Sequence, residues 1–259
     1  MQEIKTISFI GSGNVATALA IHLFKKKYTI TQIYSKNLHN AKVLAKKVKA
    51  KATNLIEGMA DADLCIVALK DDVIETVSKK INNKNIPIVH TSGTVSTEVF
   101  HKNNFKTFGC FYPLQTFSKK SKLSVSNFPI LLEANDTKFY TKLEKMASAV
   151  STNRLRANSQ QRLNIHLAAV FACNFTNYLY SISENILQQS HFKINLLYPL
   201  IKQTAENTKK EKVFTLQTGP AIRKDYSTIK KHLELLEKNK KAKKIYRLLT
   251  QAIQEKATE

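Results

Sequence analysis

Cysteine is scarce in these 259 residues, with three in all, and tryptophan is absent. The three thiols, Cys65, Cys110 and Cys173, are scattered and form no Cys-x-x-Cys pair, so neither a disulfide framework nor a zinc cluster is implied. Cys65 and Cys173 stand inside apolar runs, where reduced core residues are expected. Long hydrophobic runs are missing too: the longest, Leu167 to Cys173, falls far short of the roughly 18 residues a membrane span requires. The apolar stretch near the N-terminus runs straight into glycines instead of a small-residue cleavage site, so no signal peptide is expected and a cytoplasmic location is.

Acidic residues are few, with 19 Asp and Glu against 41 Lys and Arg, for a formal charge of +22. Nucleic acid is one partner such a charge suggests. Against it, the basic residues are spread along the chain and are nearly all lysine, with arginine only at positions 154, 156, 162, 223 and 247. Base and phosphate forks favour arginine, and no helix-turn-helix pattern or aromatic-interleaved basic stripe is present. Runs such as Lys25 to Lys27 and Lys238 to Lys244 therefore read as solvated faces, and neither a nucleic acid nor a membrane is expected as partner.

Hydrophobic residues make up 43% of the chain, enough to bury a core in one large domain or two modest ones. Apolar, β-rich runs alternate with helical periodicity through the first half. Strands are predicted at 4–10, 30–34, 64–69, 86–90, 105–112 and 128–132. Helices follow the first glycines, at 41–48, after Asp71 or Asp72 as N-cap, near 96–100, and at 136–149. A lysine- and serine-rich loop is expected at 118–127. After Val150 no strand is expected. Helical periodicity instead runs from 159 to 189, from 193 to 208, and through two lysine-rich amphipathic segments after 225. The fold class is therefore α/β: an N-terminal Rossmann, doubly wound, mostly parallel sheet over 1–154, then an all-α C-terminal domain over 155–259.

Gly11-Ser12-Gly13-Asn14-Val15-Ala16 is a Gly-x-Gly-x-x-Ala pattern between a predicted strand and a predicted helix. Gly11 allows the tight turn, Gly13 lets backbone approach a pyrophosphate, and Ala16 lets the helix pack on the strand. The free N–H groups and positive helix end attract phosphate. At the end of the second strand, where a carboxylate would take the ribose 2′-OH of NAD, this chain has Tyr34-Ser35-Lys36. A hydroxyl and an ammonium suit a 2′-phosphate, so NADP(H) is the expected cofactor. The competing reading of Lys36 is one more surface lysine.

Three further loops follow predicted strands and are candidates for the chemistry. Leu69, Lys70 and Asp71 form the first, His90-Thr91-Ser92-Gly93 the second and Tyr112-Pro113-Leu114-Gln115-Thr116-Phe117 the third. The competing readings are an N-cap at Asp71, an ordinary turn at 90–93 and a buried turn holding Tyr112 in the core. In the helical half, His166 and Asn174 are eight residues and roughly 80° apart on an ideal helix, an angle at which both could face an interdomain cleft; the competing reading of His166 is a histidine satisfied in the core. Gly219-Pro220 sets a turn that an Arg223–Asp225 pair would fasten. No Gly-x-Ser-x-Gly elbow supports a hydrolase, and no metal site is expected.

The order GSGNVA, ALKDD, HTSG, FYPLQTF, HLAAVFACN and TGPAIRKD resembles bacterial Rossmann-like proteins with a C-terminal helical domain of unknown function. That family is akin to pyrroline-5-carboxylate reductase and the coenzyme F420-dependent NADP reductases. The resemblance implies a helical domain similar to that of 6-phosphogluconate dehydrogenase, dimerising through its long helix, so a homodimer is expected. It maps the cofactor loops onto Gly11, Ser12, Gly13, Asn14 and Val15, with Ser35 and Lys36 nearby, and puts His90, Ser92, His166, Asn174 and Arg223 toward the cleft. The family pattern often has histidine where this chain has Tyr112. The activity expected is NADP-dependent hydride transfer to or from a small carbonyl or imine substrate. His166 or Tyr112 would donate the proton, with Ser92 and Asn174 orienting the substrate and Leu69, Lys70 and Ser92 bordering the cofactor. The competing reading is a non-catalytic NADP(H)-binding sensor or scaffold.

Overall fold

The structure is a computed structural model that describes residues 3–117, 127–209 and 212–258. The chain divides into two compact units, Met1–Val170 and Phe171–Glu259. In the first unit the strands are β1 (Thr6–Ile10), β2 (Thr29–Tyr34), β3 (Lys51–Thr53), β4 (Leu64–Val67), β5 (Ile88–His90), β6 (Phe108–Pro113), β7 (Ile130–Ala134) and β8 (Arg154–Arg156). Its helices are α1 (Asn14–Lys25), α2 (Leu38–Val48), α3 (Asp71–Lys79), α4 (Glu98–Lys102), α5 (Thr137–Ser148) and α6 (Ser159–Ala169).

All eight strands join one sheet in the order β3-β2-β1-β4-β5-β6-β7-β8. Strands β1 to β6 run parallel; β7 turns antiparallel to β6, and β8 pairs parallel with β7. This is the doubly wound, mostly parallel arrangement expected. Alternation within a strand serves both faces. In β4, Leu64 and Ile66 enter one cluster with Leu19, Leu44, Phe139 and Leu143 from α1, α2 and α5. Cys65 and Val67 enter the other, with Ile74 of α3 and Phe100 of α4.

Two strands depart from expectation: β3 (Lys-Ala-Thr) had no counterpart in the sequence reading, and β8 (Arg-Leu-Arg) lies beyond Val150, where none was expected. They are the two edges of the sheet. Three residues are too few to show a period, and edge strands carry charge in place of apolar faces. Apart from Asn127, the loop expected at 118–127 lies outside the described residues.

The second unit is helical: α7 (Thr176–Gln188), a 3₁₀ turn Ile194–Leu197, α8 (Tyr198–Asn207), a second 3₁₀ turn Val213–Leu216, α9 (Tyr226–Leu235) and α10 (Lys240–Lys256). The single helix expected over 159–189 is broken into α6, a π-helical turn Val170–Phe175 and α7. Cys173, expected in the core, is exposed, as are Phe171 and Phe175: this apolar stretch is not covered within the single chain.

Candidate active site

Register between the parallel strands brings four loops to one edge of the sheet. Ile10 is level with Tyr34 of β2 and Val67 of β4, and Val67 is level with His90 of β5. Hydrogen bonds extend the ladder into the loops: Gly11 N–H donates to Tyr34 O at 2.8 Å, Ala68 N–H to Ile10 O at 2.8 Å and Thr91 N–H to Val67 O at 3.1 Å. Ligands bind at this carboxyl edge in open α/β sheets.

Gly11 has φ +121°, and a Cβ there would lie 2.2 Å from Ala68 O and 3.3 Å from Leu69 Cδ2, so no other residue fits this crossing. Gly13 is different: a Cβ there would meet nothing within 4 Å. It takes the N-cap position of α1 without a side-chain cap, leaving the first-turn N–H groups of Asn14, Val15 and Ala16 without a capping side chain. A pyrophosphate suits that cradle. At its side Ser12 Oγ donates to Ser35 Oγ at 3.0 Å, beside the exposed Lys36. Asn14 Nδ2 donates to Phe117 O at 3.1 Å, tying the cradle to the loop after β6.

Lys70 takes the N-cap position of α3 and Asp71 is the first helical residue, which corrects the expectation of Asp71 or Asp72 as cap. The helix start has no side-chain cap, because the Lys70 ammonium offers no acceptor; the Asp71 carboxylate instead accepts the Thr94 hydroxyl of the neighbouring loop. Ser92 is buried, and its Oγ accepts the N–H groups of Thr94 and Val95, each at 3.0 Å, closing the turn 92–95. His90 is fully buried; its Nδ1 accepts Ser92 N–H at 3.2 Å, and burial, with the Arg162 charge beside it, pushes its pKa down to about 3. It is a neutral ring, and its buried Nε2 has no hydrogen-bond partner among the described residues.

Tyr112 and His166 meet: the phenol oxygen lies 2.9 Å from His166 Nδ1. Burial, reinforced by Cys110 and Asp71, pushes the Tyr112 pKa up to about 12, so the phenol keeps its proton; it donates to Nδ1 when the imidazole proton sits on Nε2 and accepts when it sits on Nδ1. Gly93 lies against both rings; a Cβ on it would come within 2.6 Å of His166 Nδ1 and 2.9 Å of Tyr112 Cζ. The pair was not expected, since the two residues stood as alternatives.

Asn174 is exposed on the π-helical turn of the second unit, so the ideal-helix angle between it and His166 does not carry through. Arg223 is exposed as well and forms no ion pair with Asp225 among the described residues. Asp225 instead caps α9, accepting Thr228 N–H at 3.1 Å, Thr228 Oγ1 at 2.8 Å and Ser227 Oγ at 2.9 Å. A helix start offers donors already in place, whereas an exposed arginine must be ordered first.

Sequence reasoning passed over Arg162 and Glu133, which form an ion pair between a buried guanidinium and a half-buried carboxylate behind the 92–95 turn. The signal was an arginine four residues before His166, at the spacing of one helix face. Two surface cavities lie at the opposite edge of the sheet, one lined by Glu3, Tyr28 and Lys145, the other by Asp63, Pro87 and Thr107; neither touches a candidate residue.

A family model described as NADP oxidoreductase, coenzyme F420-dependent, matches residues 6–91, and one described as a domain of unknown function, DUF2520, matches residues 128–253. A Bacteroides fragilis protein described as an NADP oxidoreductase is 35% identical, with 97% of this chain and 98% of that one covered at a TM-score of 0.88. The chain belongs to this DUF2520 family of Rossmann proteins. A Thermotoga maritima protein is 26% identical, with 97% and 98% covered and a TM-score of 0.71. The fold alone is shared with a reductive aminase from Aspergillus terreus solved with NADPH and ethyl-5-oxohexanoate, 11% identical over 97% of this chain and 93% of that one at a TM-score of 0.75. No curated protein matches the sequence.

Proposed function

We propose that the protein is an NADP-dependent oxidoreductase that transfers a hydride between NADP(H) and the carbonyl or imine carbon of a small substrate. One observation carries this reading: an open glycine cradle and a Tyr112–His166 hydrogen bond stand at the same edge of one sheet. Family membership with a protein described as an NADP oxidoreductase supports it.

Residues 1–154 form the proposed cofactor domain. Gly11, Ser12, Gly13, Asn14 and Val15 would hold the pyrophosphate through backbone N–H groups, and Ser35 with Lys36 the 2′-phosphate. Leu69, Lys70 and Ser92 border the rest of the site. The bound cofactor supplies the hydride chemistry. His166, its Nδ1 within hydrogen-bond reach of the Tyr112 phenol, would offer a proton from Nε2 to the substrate oxygen or nitrogen. Ser92 orients by holding its turn. Asn174 orients from a π-helical turn, a feature frequent at functional sites.

Residues 155–259 form the proposed substrate and dimerisation domain. Beyond Val170 only Ala221, Ile229 and Ala242 are buried apolar residues among those described, while Phe171, Phe175, Tyr178, Phe192, Leu200 and Leu248 are exposed. A second copy of the chain is the proposed cover. The test of the activity is NADPH oxidation across a panel of imines, 2-keto acids and aldehydes. Turnover of one class, falling at least a hundredfold in His166→Ala, is expected. Silence of the whole panel with NADPH bound would favour a non-catalytic binding module.

A further inference from the structure

We propose that Arg162, paired with Glu133, is a positioning residue that sets the Tyr112–His166 contact by clamping the 92–95 turn against it. The proposal rests on the reading of that pair as the proton-donating centre. Arg162 is fully buried, the largest side chain among the described residues to be so. A guanidinium in that setting is retained only when its donors are engaged, and here they are. Nε donates to Ser92 O at 3.1 Å, Nη1 pairs with Glu133, and Nη2 donates to Val95 O and, at 3.2 Å, to Ser159 Oγ.

The two carbonyls are the two ends of one turn, Ser92-Gly93-Thr94-Val95. Inside it, Ser92 Oγ holds two backbone N–H groups; from outside, the planar fork of Arg162 holds both ends. Gly93 at the middle has no space for even a Cβ before His166 Nδ1 and Tyr112 Cζ. The turn is thus the floor on which the two rings meet. Arg162 also stands one helical turn before His166 on α6, so one side chain fastens the floor and the helix to each other. Glu133 is held in turn by Ser159 Oγ at 3.0 Å and Thr97 Oγ1 at 3.3 Å, which anchors the fork to β7. A shift of the turn by a few tenths of an ångström changes the distance between phenol and imidazole.

The test reads the imidazole directly and needs no substrate. In protein labelled with ¹⁵N-histidine, the His166 ring signals are assigned by their loss in His166→Gln, and Tyr112→Phe defines the spectrum of a ring without its phenol partner. Arg162→Met and Glu133→Gln are expected to move the His166 signals to the Tyr112→Phe positions, while the dissociation constant for NADPH changes by less than about twofold. Retention of the wild-type ring signals in either folded variant overturns the proposal. Should Arg162→Met not fold, Glu133→Gln, which keeps the shape and removes the charge, decides alone. A protein that binds no NADPH or turns nothing over would remove the oxidoreductase reading and leave this spectroscopic result standing.

Discussion

His90 ends β5 with its ring 5.6 Å from that of Phe100 and its Nδ1 occupied by Ser92 N–H. Buried and neutral, it titrates in the folded protein only near 3, whereas in the unfolded chain it takes a proton near 6.5. Between those values the unfolded state binds more protons, so stability is whole above pH 6.5 and is lost progressively as pH falls toward 3. His90→Asn keeps an acceptor for Ser92 N–H and removes the titration. Urea midpoints measured from pH 7 to pH 4 are expected to fall less steeply in that variant than in the native chain; equal slopes would contradict the assignment. Tyr112, by contrast, keeps its proton throughout this range, because burial raises its pKa.

At the scale of elements, α6 decides the geometry of the site. Its start is a reciprocal capping box: Asn158 Oδ1 accepts Gln161 N–H at 2.8 Å and Gln161 Oε1 accepts Asn158 N–H at 2.9 Å. Loss of the cap in Asn158→Ala is expected to cost about 1 kcal/mol, read as a lower urea midpoint at unchanged slope. No loss would show that buried contacts alone place the helix. The central strands and the glycine cradle were legible in the sequence because apolar runs and a spaced glycine pair are local signals. Strands β3 and β8 were not, being three-residue edges without a period. The Tyr112–His166 pair and the Arg162–Glu133 pair join residues 54 and 29 positions apart. Side-chain types alone do not reveal such long-range pairings. The π-helical turn Val170–Phe175 escaped for a different reason, since its apolar sequence matches an ordinary helix.

For the whole molecule, the contrast between units is the main physical fact. The first buries two apolar layers around a sheet, while the second leaves aromatic and aliphatic side chains exposed and buries few of its own. Such a surface suits an obligate partner of the same kind. Sedimentation equilibrium is expected to give twice the chain mass, and Phe171→Glu, which charges a residue 63% exposed in the single chain, to give the single mass. A wild-type monomer would refute the dimer. The central claim, that the cradle at Gly13 and the hydroxyl and ammonium of Ser35 and Lys36 receive a phosphorylated dinucleotide, is tested most directly by titration calorimetry. NADPH is expected to bind at least tenfold more tightly than NADH, about 1.4 kcal/mol or more; equal affinities, or no heat with either cofactor on folded protein, would contradict the account.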